Sequence, residues 1–234
     1  MTSIIIPAHN EKDNLKTLLS TLCKSKQGRA VEIIVALSPE NNDNTEKIAC
    51  DIGIHFLKCS KRGRAAQMNE ASFLAKGKIL VFLHADVVPP QNFLDDISKT
   101  LSNGYDAGFF SYKFDKESFW LKINASFTGK DGIFTGGGDQ CLFIKKSVFE
   151  ELNGFDENQV LMEDFEFFER MKSNRVPYKI VKNDLIVSAR KYEHNSYLRV
   201  NLSNLLLVIL FKFGYPGNKL KHLHDKLLRT AYNG

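Results

Sequence analysis

The sequence predicts an α/β fold, a mostly parallel central sheet with flanking helices and a C-terminal helical extension. Short apolar, β-rich runs alternate with helical patterns through the first hundred residues, the order that gives parallel strands joined by crossover helices. One of these runs, ILVFLHADVVP from Ile79 to Pro89, is a buried type of strand that ends on a histidine and an aspartate. The 234 residues carry no Pro/Gly/Ser linker, repeat or low-complexity segment, and 43% of them are apolar, enough for one large core.

Taken in order, the patterns place strands over residues 3–7, 32–37, 55–58 and 79–84. Helices fall near 13–23, 45–51 and 64–75, with Asn10 or Asp13 suited to cap the first. After Pro90 come a helix to Leu101, a strand at 107–114, an irregular aromatic segment through Phe134 and a short strand at 140–144. In LMEDFEFFERM, Glu163 and Asp164 open a further helix. The extension is helical over 197–213, breaks at Gly214-Tyr-Pro-Gly and ends in a basic helix to about residue 230.

Composition narrows the partners. The net charge of +5 is modest and reads as spread along the chain, which favours anionic small molecules or a membrane face and no nucleic acid. Cys23, Cys50, Cys59 and Cys141 form no CxxC pair and read as reduced packing residues. Met1 leads directly into a strand without the regions of a signal peptide, so a cytoplasmic location is expected. The longest apolar run, residues 205–211, is far short of the roughly 20 residues a membrane span needs. An apolar run that encircles a helix favours packing on the core or on a second subunit, as in a homodimer, over peripheral contact with a membrane's inner face.

Five clusters could carry chemistry, each with a plainer alternative. Asp86, released from its strand by a Pro-Pro turn, could hold a divalent cation or merely start that turn. SIIIPAHNE presents Pro7, Ala8, His9, Asn10 and Glu11 to the same sheet edge, where a nucleotide or a simple helix cap would fit. Lys61, Arg62, Gly63 and Arg64 precede a helix whose free N–H groups attract phosphate, an arrangement the helix dipole does not favour by itself. GGGDQCLF, residues 136–143, is a flexible loop suited to close ligand approach or to a plain turn, and it lacks GxGxxG order. Finally, Glu163 and Asp164 stabilise a helix start, and one facing a cleft could serve as general base.

Together, SIIIPAHNE, GRAAQMNEA, FLHAD, GDQCLFIKKSVFEELNGF and LMEDFE resemble the family-2 glycosyltransferases of the A-type fold, to about Leu220. The resemblance is nearest to small bacterial transferases associated with radical-SAM and selenodomain genes. It implies a catalytic domain over residues 1–195 and the extension over 196–234. It further implies donor contacts from Pro7, His9, Asn10, Glu11, Asp43, Gly63, Arg64, Ala85, Arg190, Lys191 and Tyr192. His84 and Asp86 stand at the DxD position, so Asp86, with His84, is implied to coordinate Mn²⁺ or Mg²⁺. Asp139 and Gln140 would face sugar or acceptor, and Asp164, with Glu163 beside it, would be the base.

Two positions depart from the family pattern. The second strand runs into IVALSPENNDNT, so Leu37 or Ser38 replaces an acid, although Asp43 and Thr45 still match. His84 replaces the first acid of DxD. The implied activity is inverting, metal-dependent transfer from a nucleotide-diphospho-sugar to a hydroxyl acceptor, lipid-linked if the extension meets a membrane. The alternatives are a sugar-nucleotide nucleotidyltransferase, which would show a glycine-rich basic loop after the first strand where PAHNEKDN stands, and a non-catalytic sugar-nucleotide-binding protein, which would need no base.

Overall fold

A computed structural model describes residues 1–25, 28–48, 53–132 and 134–228. The chain runs β1 (Thr2–Ala8), α1 (Lys12–Ser25), β2 (Val31–Leu37), β3 (Ile54–Lys58), α2 (Arg64–Leu74) and β4 (Ile79–Phe82). It continues with β5 (Val87–Val88), α3 (Phe93–Ser102), β6 (Ala107–Phe114), α4 (Phe119–Thr128), β7 (Phe143–Lys145), α5 (Lys146–Glu151), α6 (Glu163–Ser173) and β8 (Tyr178–Val187). The extension is α7 (Tyr197–Lys212) and α8 (Gly217–Leu227).

One sheet of eight strands, ordered β3-β2-β1-β4-β7-β6-β8-β5, forms the middle layer. The first four strands are parallel, in register Ile4 with Ile33 and with Val81, as the alternation predicts. β7 breaks the pattern and pairs antiparallel with both β4 and β6, so the sheet is mixed. It returns from a loop at the carboxyl edge, which forces the reversal.

Alternate side chains build two cores. Ile4, Ile6, Ile33, Val35 and Val81 face α1 and α3, whereas Ile5, Ile34, Leu80 and Phe82 face α2, α5 and α6. Burial on both faces explains why these strands are almost wholly apolar. In the second core Phe82 meets Phe155 edge-on at 4.9 Å, and Phe155 meets Phe167 at the same separation. Beneath the edge, the buried Glu32 carboxylate accepts from Ser3 Oγ and from the backbone N–H groups of Lys76 and Gly77, which pins β1, β2 and the start of β4 together.

Several expectations are corrected. The helix expected over 45–51 is a single 3-10 turn, Thr45–Lys47, with residues 49–52, including Cys50, outside the described residues. Here the Asp43 carboxylate takes the N–H of Thr45 at 3.0 Å, a local bond that competes with a helical ladder. Neither Asn10 nor Asp13 caps α1. The Lys12 N–H donates to Asp43 Oδ2 at 2.9 Å, while Asn10 adopts a left-handed φ of 55° and braces the loop at Asn42.

The expected strand at 140–144 is a 3-10 turn, Gly138–Gln140, followed by β7. The segment read as irregular contains α4, of which only Leu121 is buried, so it carries no amphipathic stripe to betray it. Cys23, Cys59 and Cys141 are free thiols.

The extension folds back onto α4. Tyr197 Oη donates to Asn124 Oδ1 at 2.6 Å, Asn124 donates to Asn201 at 2.9 Å, and Val200, Leu207 and Val208 are buried. Half of α7 therefore packs as expected. Its other half does not, and among the described residues no helix is long and apolar enough to cross a membrane.

Candidate active site

The carboxyl ends of parallel strands open a crevice where open α/β sheets bind ligands. β1 delivers His9 and Glu11 to it, β4 delivers His84 and Asp86, and α2 begins there with Arg64. Asp139 and Asp164 enter from the glycine loop and from the first turn of α6. A 3-10 turn, Arg190–Tyr192, closes over the first strand ends.

Arg190 links two of those ends. Its Nη2 lies 2.9 Å from Glu11 Oε1 and 3.2 Å from Asp86 Oδ2. The turn that carries it is anchored by Tyr192, which receives a hydrogen bond from Asn124 Nδ2 at 3.2 Å and stacks on Tyr197 at 6.0 Å. On the other side, Arg64 Nε stands 2.7 Å from Oε1 of Glu163, a side chain only 1% exposed. Glu163 Oε2 and buried His9 Nδ1 have no hydrogen-bond partner among the described residues. Such orphaned atoms mark a place where a ligand completes the polar set.

Between these pairs sit His84, Asp139 and Asp164. His84 Nδ1 is 3.7 Å from Asp139 Oδ1. Gly138 separates His84 from Asp164 so tightly that a Cβ there would be 2.5 Å from both His84 Nε2 and Asp164 Oδ2. Burial, and then the neighbouring Glu163 charge, push the Asp164 carboxyl up to about 6. Burial would also raise Asp139, but the adjacent His84 imidazole and the charges of Lys191 and Arg64 hold it at about 2. For His84 burial works against charge, yet Asp139 and Asp164 raise it above the ordinary histidine range.

His84 therefore stands beside Asp139 at the crevice, at the position where a metal ligand is expected. Gln140 lies behind the crevice wall. It is 2% exposed, its Oε1 accepts from Gly136 N–H at 2.8 Å and its Nε2 donates to the Thr128 carbonyl at 3.0 Å, so it braces the glycine loop. Asp43 is likewise consumed by Lys12, Asn41 and Thr45, and Asn10 by the 41–42 loop. Pro7 and Ala85 are buried and can offer only backbone. Gly63, at φ 104°, gives α2 a start that another residue would strain, with open space beside it.

Among the described residues no three His, Cys, Asp or Glu side chains converge as a metal cage. Asp86 nonetheless fits a hard cation. Only its Oδ2 is engaged, and burial followed by the charge of Asp139 raises its carboxyl, a surplus of negative charge that a cation would relieve. Magnesium-like ions keep several waters and take phosphate oxygens, so one carboxylate suffices.

A family model described as glycosyl transferase family 2 matches residues 3–162. The chain belongs to that family. It is 28% identical over 109 residues to a dolichol-phosphate mannosyltransferase of Pyrococcus furiosus, a match covering 44% of this chain and 31% of that relative, so the chain spans about a third of it. It is 22% identical over 239 residues to an uncharacterized glycosyltransferase of Methanocaldococcus jannaschii, covering 94% and 81% of the two chains. A mannosyltransferase from Pyrobaculum calidifontis, solved in complex with GDP-Man and Mn²⁺, superposes with a TM-score of 0.65 at 17% identity over 97% of this chain and 69% of that one. The shared architecture is the A-type glycosyltransferase fold.

Sequence reasoning missed two parts of the site. Asn124, which ties Tyr192 and Tyr197 together, lies 68 and 73 residues from them in the chain, and no local signal links them. Gly138 was legible only as one of three glycines, since its neighbours come from β4 and α6.

Proposed function

We propose that this chain transfers a glycosyl group from a nucleotide-diphospho-sugar to an acceptor hydroxyl, with inversion, and that Asp164 is the general base. The supporting observation is a carboxyl raised to about 6 at the mouth of a crevice whose rim carries Arg64, Arg190 and Asp86. A base poised near neutral pH is matched to removing a hydroxyl proton. Family membership and the Mn²⁺- and GDP-Man-bound neighbour agree with a donor of this class.

In this mechanism Asp164 accepts the acceptor's proton as its oxygen attacks the anomeric carbon, and the bond from that carbon to the diphosphate breaks. Attack from the face opposite the leaving group in a single displacement inverts the centre, by analogy with the carboxylate logic of glycoside hydrolysis. Arg190 and Lys191 hold the departing nucleoside diphosphate, and Glu163 keeps Arg64 beside the donor. Asp86 would hold a Mn²⁺ or Mg²⁺ ion whose charge, when bound, offsets that of the diphosphate.

Asp164→Asn should lower transfer by about 10²–10⁴-fold while leaving nucleotide-sugar affinity unchanged in a calorimetric titration. Undiminished turnover would remove Asp164 from the mechanism. Asp86→Ala should abolish the dependence of donor affinity on Mn²⁺, and an unaltered metal dependence would remove Asp86.

A further inference from the structure

We propose that the outer face of α7, together with the exposed aromatic side chains of α4, docks this protein on an anionic lipid bilayer. Leu198, Leu202, Leu205, Leu206, Ile209 and Phe213 are all exposed, and their spacing puts them on one side of α7. Leu202 is 63% and Phe213 86% exposed, too open for either to serve the protein's own core. The opposite side, Val200, Ser203 and Leu207, is the part buried against the protein. A helix apolar on both sides normally lies buried all round. This one is half covered.

α4 extends the apolar surface. Phe119, 71% exposed, and Trp120 sit at its start with Phe127 near its end, and Trp120 lies 5.5 Å from Tyr197 at the beginning of α7. Contiguous exposed apolar surface marks a place where another apolar phase binds, and aromatic rings suit the boundary between headgroups and acyl chains.

Charge selects the occupant. Of 32 basic and 27 acidic residues, six basic and one acidic lie in residues 196–234, so residues 1–195 balance and the whole surplus of +5 belongs to the extension. This corrects the expectation of a net charge spread along the chain. Arg199 and Lys212 border the apolar stripe, and Lys219 and Lys226 are exposed on α8. An apolar face rimmed by cations matches a surface of anionic headgroups. A second copy is disfavoured, because a two-fold dimer through this face would bring two extensions of +5 together. Docking depends on exposure and charge and holds whether or not Asp164 is the base.

The test is co-sedimentation of the full chain with phosphatidylcholine vesicles containing or lacking phosphatidylglycerol, at low and high salt. Pelleting on the anionic vesicles, weakened by salt, is expected. The double variant Leu202→Glu, Phe213→Glu should partition about tenfold less while keeping its melting temperature, since both side chains are exposed. Lys212→Gln with Lys226→Gln should weaken anionic binding about fivefold per charge removed. If the double variant unfolds, the single Leu198→Glu replaces it. No vesicle binding, equal binding to both vesicle types, or a dimer by light scattering that Leu202→Glu, Phe213→Glu dissociates would each overturn the proposal.

Discussion

Gly138 leaves no room for a side chain, and that constraint holds His84 and Asp164 in place. Alanine there would push the imidazole and the carboxylate apart, because its Cβ would stand 2.5 Å from an atom of each. Gly138→Ala should lower kcat by about 100-fold, the scale of an ångström's misplacement, with little change in donor affinity. Steady-state kinetics with a parallel donor titration would show it. The proposed role of Asp164 also implies a pH limit. Its carboxyl is pushed up to about 6, and as the proposed base it would act only when ionised, so log kcat should fall with unit slope as pH drops below about 6, and a flat profile down to pH 5 would contradict the assignment. Asp86, Asp164 and Arg64 were legible in the sequence because each stands at the end of a strand or the start of a helix. The neighbours of His84 and Gln140 were not. Their partners, Asp139 in one case and the backbone of Gly136 and Thr128 in the other, are brought to them by tertiary folding alone.

The elements around the site depend on polar anchors as well as on apolar faces. Glu32 is the anchor at the amino-terminal edge, where a Cβ on Gly77 would come within 2.6 Å of the Ser3 backbone nitrogen. Glu32→Ala should cost about 2–4 kcal/mol in chemical denaturation, because two backbone N–H groups and a hydroxyl lose a charged acceptor. Burial alone would raise this carboxyl, yet the bonds from Ser3, Lys76 and Gly77 lower it below the ordinary glutamate range. A lowered pKa means that the stabilisation is complete above the unfolded value of about 4.3 and is lost as pH falls through the folded one. Acidification should therefore narrow the gap between wild type and variant. The four parallel strands and α1 to α3 were legible from apolar periodicity. β7 was placed too early in the chain, and α4 was missed because it is held by its own Thr128, which accepts from Tyr112 of β6, and its own Asn124, which accepts from Tyr197 of α7, not by an amphipathic pattern.

Across the whole molecule, α4, the Arg190–Tyr192 turn and α7 form one assembly through Asn124, Tyr192 and Tyr197. Tyr197→Ala removes an aromatic neighbour of Tyr192 and should raise the donor KM by about 2–10-fold through loss of order in the turn that carries Arg190, with kcat nearly unchanged. The family and its fold were readable from the order of motifs along the chain, whereas the outward face of α7 needed three dimensions, since seven successive apolar residues look alike in a string. The uneven placement of charge has a mechanical consequence. A body with no net charge and one strongly cationic end is an electric dipole, and the field of a charged plane exerts a torque on a dipole before contact. Within about a Debye length, some 8 Å at physiological salt, the protein would be turned extension-first, so each collision with an anionic surface begins in nearly the same orientation.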